Sequence, residues 1–281
     1  MMTMEQRLKK TSGWVLFLRT VVARAYPRVI GQQREKSWMF FEIFLPMLSV
    51  AAYVFVYRAI GAPEEYVGFV VMGGAMTAFW INVLWSMSSQ LFWEKETGNL
   101  GLYIMAPASM MAILLGMALG GLFASTLRAI VIVALGSWLF QVDYQVISFG
   151  QLFTVFFLAM VALYGMGMMM ASLFLLLSRE AWHLSNLAQE PVYLLSGFYF
   201  PIKSLNFWVA LGASVIPLTL GLDAMRQLAF PSGSALGFLT VPVELSILAF
   251  LSVVFLFGAR VLLAHMEKLA IREGRITESR R

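Results

Sequence analysis

The sequence predicts an all-α, polytopic membrane protein with six transmembrane helices. Of its 281 residues, 60% are hydrophobic and 12% charged, about half the charged share of a soluble domain. Apolar runs of about 20 residues, long enough to cross a bilayer as helix, recur along the whole chain. The charges stand in short blocks between those runs, so the formal net charge of +5 speaks for membrane orientation rather than nucleic acid. The chain has no cysteine, which excludes disulfides, thiolate chemistry and Cys-held metals.

Residues 1–36 read as a cytoplasmic amphipathic interface segment. Trp14, Phe17, Leu18, Val21 and Val22 share one helical face, bordered by basic residues, until Pro27 interrupts the helix. A loosely ordered basic tail is the plainer alternative. No compact apolar stretch with a cleavage site follows the first basic residues, so this is a retained segment rather than a signal peptide. The membrane domain is expected over 37–267 and a basic cytoplasmic tail over 268–281. Spans are expected at about 38–57, 66–87, 110–139, 149–177, 184–200 and 243–264. Arg128 interrupts the third, which is long enough to tilt or to begin as a cytoplasmic helix. The fifth contains Glu190-Pro191 and is short for a crossing. Two further crossings do not fit in 201–230, which contains Pro217, Asp223 and Arg226. A pair of short helices dipping into the outer leaflet fits, with their irregular backbone sheltered by protein; the alternative is an ordinary external loop.

Charge fixes the expected orientation. Fifteen Lys and Arg fall on the side of the N-terminus, the 94–108 and 178–183 loops and the tail, against Arg58, Lys203 and Arg226 opposite. The first side is therefore read as cytoplasmic, with both termini there and an even number of crossings.

Chemistry-bearing residues are few. After span two comes Trp93-Glu94-Lys95-Glu96-Thr97-Gly98-Asn99-Leu100, followed by Tyr103 and Ala106-Pro107. A surface helix here would offer Glu94 and Glu96 to a basic site on another protein, with Leu100 and Tyr103 filling a pocket; a solvated polar connector is the bland reading. Glu42, Arg128 and Glu190 are ionisable groups within spans, where charge is expensive and faces a partner or water. Arg128 is able to pair with either acid, and both acids are near enough to helix ends to snorkel or cap; a substrate-binding role for one of the three is the alternative to such pairing or anchoring. Gly116, Gly120, Gly121 and Ser125, and the Gly- and Met-rich stretch 164–172, read as packing seams. There is no phosphate-binding G-x-x-x-x-G-K-[ST] loop, and His183 and His265 are far apart, so no enzyme site or metal cluster is expected in this chain.

Two signatures carry a resemblance. One is Glu94-Lys95-Glu96-Thr97-Gly98-Asn99-Leu100 with Ala106-Pro107; the other runs from Ser196-Gly197 and Phe200-Pro201 through Pro217-Leu218-Thr219 to Asp223 and Arg226. In order and spacing they resemble the type 2 ABC exporter permeases, the ABC-2 family, over nearly the whole chain. The resemblance implies six spans, an N-terminal interface helix, a coupling helix after span two and two re-entrant helices between spans five and six. It implies a permease in a cell membrane, the plasma membrane of a prokaryote, working as a homodimer with two separate ATP-binding subunits that hold ATP and Mg. The coupling role falls on 91–104, especially Glu94, Glu96, Gly98 and Leu100, and the re-entrant motif on Gly197, Pro201, Pro217, Asp223 and Arg226. The family exports drugs, lipids, glycans and lipid-linked polysaccharides. A Met-rich apolar path points to a hydrophobic or amphiphilic cargo; a lipid-linked polysaccharide is the alternative, and an ATP-independent channel or secondary transporter the reading from a different class.

Overall fold

A computed structural model of the protein describes residues 13–177, 180–231 and 233–273. Among them there is no strand. The helices are α1 (Gly13–Arg34), α2 (Lys36–Ala59), α3 (Glu65–Ile81), α4 (Gln90–Glu96), α5 (Asn99–Met105), α6 (Met110–Phe140), α7 (Phe149–Leu177), α8 (Glu180–Leu195), α9 (Phe207–Ala213), α10 (Pro217–Ala229), α11 (Gly233–Leu236) and α12 (Val241–Glu273). Arg7, Lys9, Lys10, Arg179 and the tail beyond Glu273 lie outside the described residues.

Five stretches are long and apolar enough to cross a membrane: Lys36–Ala59, Glu65–Glu96, Met110–Phe140, Phe149–Phe174 and Val241–Met266. The second exceeds the expected 66–87 because α3 does not stop. It passes through a π-helical turn, Asn82–Met87, into α4; Ser88 N–H donates to the Val83 carbonyl at 2.9 Å across that wider turn. This stretch is the middle of the bundle: in its most apolar 18 residues 89% are buried, against 17% in those of α2. In lipid the hydrophobic effect does not drive helices together, so close packing and small residues must. Accordingly, large apolar side chains also face outward: Phe44, Phe55, Trp138, Phe153 and Phe257 are exposed, as suits a surface solvated by acyl chains. α6 lies along both α1 and α3, while α7 lies along α12 and α10.

The helix ends define two ends of the bundle. The basal end holds α1, α4 and α5; the distal end holds the α2–α3 turn and the α6–α7 loop. α1 runs unbroken through Pro27, contrary to the expected interruption. Pro27 and Ala23, the residue whose carbonyl loses its partner, are both exposed, so the orphaned acceptor is not buried. Packing on both sides of Pro27 holds the line: a Cβ at Gly116 would meet the Val21 carbonyl at 2.5 Å, and one at Gly120 the Arg28 Cβ at 3.1 Å. The expected apolar face is also divided. Val21 is buried, while Trp14, Leu18 and Val22, joined by Tyr26, form an exposed stripe at four-residue spacing.

The expected fifth span departs most. α8 has 16 residues, about 24 Å of helix against a hydrocarbon core of about 30 Å, so it does not cross by itself. It ends at Gly197, whose φ of 69° is a left-handed value that a glycine adopts without strain. α9 and α10 follow, bent by 109°. Phe207 at the start of α9 packs against Phe238. At the other end of the pair, the carbonyls of Leu228 and Ala229 accept from Ile147 and Gln145 N–H of the α6–α7 loop at 2.9 and 3.0 Å. The end of α10 thus lies at the distal end.

Candidate functional site

The basal joint is built from α4, Thr97-Gly98 and α5. α4 ends because Thr97 folds its hydroxyl back onto the Trp93 carbonyl at 2.9 Å and Gly98 takes φ 78°, a left-handed stop that lets the chain turn into α5. A Cβ at Gly98 would meet nothing within 4 Å, so only the backbone demands glycine there. Glu94 points inward: it is 7% exposed, accepts from Arg24 of α1 at 2.7 Å and from Gln90 at 2.9 Å. The Arg24 guanidinium lies 4.8 Å from the centre of the Tyr103 ring, a cation–π contact. Burial, and the Glu94 carboxylate that accepts its hydroxyl, push the Tyr103 phenol above its ordinary pKa. Arg28, one turn along α1, donates to Gln90 at 2.9 Å and to Ser86. Its burial lowers its pKa to about 10, which still leaves it charged at neutral pH.

In the joint Glu94 is turned onto α1 and Leu100 is buried in the core, whereas the sequence reading offered both to a partner. Glu96 and Gly98 are exposed, and with them Trp93, Leu102 and Met105. Helical register held the signal: Glu94 and Glu96, two apart, cannot share a face. Arg24 and Arg28 were counted only as charge, although residues four apart on α1 are placed to grip one neighbouring helix.

Midway through the bundle Arg128 pairs with Glu42 at 2.9 Å, which settles the choice between the two acids; Glu190 is exposed on α8. Deeper still, Tyr164 donates its hydroxyl to Asn82 Oδ1 at 3.2 Å. Asn82 in turn sits against Gly121, where a Cβ would collide with it. Beside this polar layer is a cavity of about 690 Å³ between α2, α3 and α8, lined by Trp38, Phe41, Glu42, Leu45, Pro46, Ile81, Asn82, Trp85, Ser86, Gln189 and Tyr193. Trp85 Nε1 donates to Gln189 Oε1 at 2.6 Å, tying α8 to the π turn.

The distal motif residues converge on one arginine. Arg226 of α10 is 3% exposed and donates to the carbonyls of Gly197, Phe198 and Phe200 at 2.6, 2.7 and 3.1 Å and of Phe69 at 2.8 Å. The first three acceptors belong to irregular backbone after α8, groups for which lipid offers no partner; the Phe69 carbonyl lies within α3 and ties α10 to it. Asp223, one turn before, accepts from Phe238 N–H at 2.8 Å and from Gln227 at 3.1 Å; Gln227 also reaches Glu244 at 3.2 Å. Pro217 opens α10 where its missing N–H costs nothing, and Pro201 leads into a 3₁₀ turn. Gln227 and Glu244 escaped the sequence reading because their partners come from another element. Among the described residues no group of three His, Cys, Asp or Glu side chains is placed to hold a metal.

A family model described as ABC-2 type transporter matches residues 18–230. The chain is also similar to the protein named probable multidrug ABC transporter permease YbhR, in Escherichia coli strain K12 and in Escherichia coli O157:H7. Each is 25% identical over 167 residues, which cover 58% of this chain and 44% of the relative. The chain spans less than half the length of these curated relatives.

Proposed function

The chain belongs to the ABC-2 type transporter family, and from that premise we propose that it is the permease half of an ATP-driven exporter. ATP and Mg are held by separate ATP-binding subunits, two of which dock beneath a permease homodimer surrounded by lipid. The basal end, with its excess of Lys and Arg, is cytoplasmic, and the α9–α10 pair is a re-entrant hairpin on the outer side. The observation that carries the reading is the basal joint. Trp93, Glu96, Leu102 and Met105 form an exposed apolar-acidic face around Gly98, and the Arg24–Glu94 pair behind it stops that face from yielding on its own. A push on the joint passes into α1 and along the continuous α3–α4 rod. ATP binding drives transport only if the states it couples differ in geometry or affinity for cargo; hydrolysis resets them. The word multidrug in the relatives' names supports a hydrophobic or amphiphilic cargo.

Co-expression with its ATP-binding subunit and reconstitution into liposomes tests this. Trp93→Ala with Leu102→Ala should lower cargo-stimulated ATP turnover at least about tenfold, the loss expected for apolar anchors worth more than 1 kcal/mol each at an interface. Membrane insertion should be unchanged. Full stimulated turnover in that variant would overturn the docking face.

A further inference from the structure

We infer that the cavity between α2, α3 and α8 binds a lipophilic organic cation, with Glu42 as its counter-charge; this deepens the transport reading and rests on it. Glu42 is the one formally charged side chain among the residues that line the cavity. Its partner Arg128 is not in the wall: it stands behind, 4% exposed, 2.9 Å from the Glu42 carboxylate. The pair thus turns the negative end of a dipole toward the cavity. A cation there sits closer to the carboxylate than to the guanidinium, and in a medium of low dielectric that difference in distance is not screened away. Arg28 keeps its charge, donating to neutral Gln90 and to Ser86 at the edge of the cavity, but it is not among the lining residues.

The rest of the wall suits the same ligand. Trp38, Phe41, Trp85 and Tyr193 supply aromatic rings, which attract a desolvated cation as well as apolar mass. Asn82 and Gln189 fix the polar edge, their amide oxygens already accepting from Tyr164 and Trp85. At about 690 Å³ it lies within the size range of drug-like sites. Trp38, Phe41 and Leu45, which line the cavity, are themselves exposed, so the cavity is open on the α2 side to an amphiphile. An anion would meet Glu42 first and is disfavoured by the same geometry.

Tetraphenylphosphonium and tetraphenylborate, equal in shape and opposite in charge, make the test. The full chain, in nanodiscs with and without its ATP-binding subunit, is titrated with radiolabelled phosphonium and corrected for empty nanodiscs. Saturable binding is expected, with borate competing at least about tenfold less well, a difference of about 1.4 kcal/mol. Glu42→Gln alone leaves Arg128 buried without its partner and risks misfolding, so the informative variant is Glu42→Gln with Arg128→Gln. It removes both charges and should bind phosphonium at least about tenfold more weakly, whereas Glu42→Asp should retain binding. Wild-type affinity in the double variant, equal competition by borate, or no saturable binding to the wild type would each overturn the site. Phosphonium binding without any ATP-coupled turnover would fault the transport reading and leave the site standing.

Discussion

Arg226 meets four main-chain carbonyls from two places in the chain, and a planar guanidinium with five donors is the side chain able to do so. Lysine keeps the charge but has three donors on a single nitrogen, so Arg226→Lys leaves carbonyls of the 197–200 turn unpartnered. Each orphaned buried acceptor costs about 1–3 kcal/mol, and the variant should lose roughly 2–5 kcal/mol of stability. Thermal unfolding in detergent would register this as a clearly lowered midpoint; an unchanged midpoint would show that water fills the role. Asp223 and Arg226 were legible in the sequence as a spaced pair, and an ion pair is the partner such spacing suggests. The partners were not legible, because backbone carbonyls have no residue type. Glu42 and Arg128 show the same limit from the other side. Both were recognisable as charges needing company, but the choice between Glu42 and Glu190 depends on how α2 and α8 are placed around α6, which no local pattern encodes.

At the scale of the element, α1 shows tertiary packing overruling local propensity. Proline in a helix interior costs about 3 kcal/mol when it removes a bond and clashes with the preceding turn, and on that ground a break at Pro27 was expected. The docking of α1 along Gly116 and Gly120 and the hold of Arg24 and Arg28 on the α3–α4 rod keep the axis straight on both sides. Those contacts are made by residues on either side of Pro27, so they do not depend on it. Pro27→Ala restores an N–H for the Ala23 carbonyl and should be neutral or stabilising by about 1 kcal/mol, with coupled ATP turnover retained. A marked loss of turnover would instead mean that α1 bends at Pro27 during the cycle. The small-residue seam on α6 was readable as a seam. That it receives α1 rather than another span was not, since a seam specifies close approach without naming what approaches.

Across the whole molecule, the α3–α4 rod is held at both ends and touched in the middle. Distally, the Phe69 carbonyl is fixed by Arg226; basally, Glu94 is fixed by Arg24. Between them the π turn meets α8 through Trp85 and Gln189. Besides the five long spans there is a bent pair that makes a sixth if its two limbs form one crossing; α8 stops short at Gly197, and the Arg226 contacts partner the irregular backbone that follows it. Composition revealed the five spans because each is a long apolar run. It did not reveal how the fifth crossing is finished, because that part rests on hydrogen bonds rather than on hydropathy. A crossing finished in this way is the wall least supported by its own helix, and α8 is one side of the cavity. The Trp85–Gln189 bond is then the link by which a displaced rod moves that wall. Trp85→Phe keeps an aromatic ring but removes the N–H, leaving the Gln189 carbonyl without this donor at a cost of about 1 kcal/mol or more. Basal ATP turnover should stay unchanged, while stimulation by cargo should fall about fivefold, the factor that corresponds to such a loss. If basal and stimulated turnover fall together, the bond serves only to hold the bundle together; if neither falls, motion reaches α8 by another route.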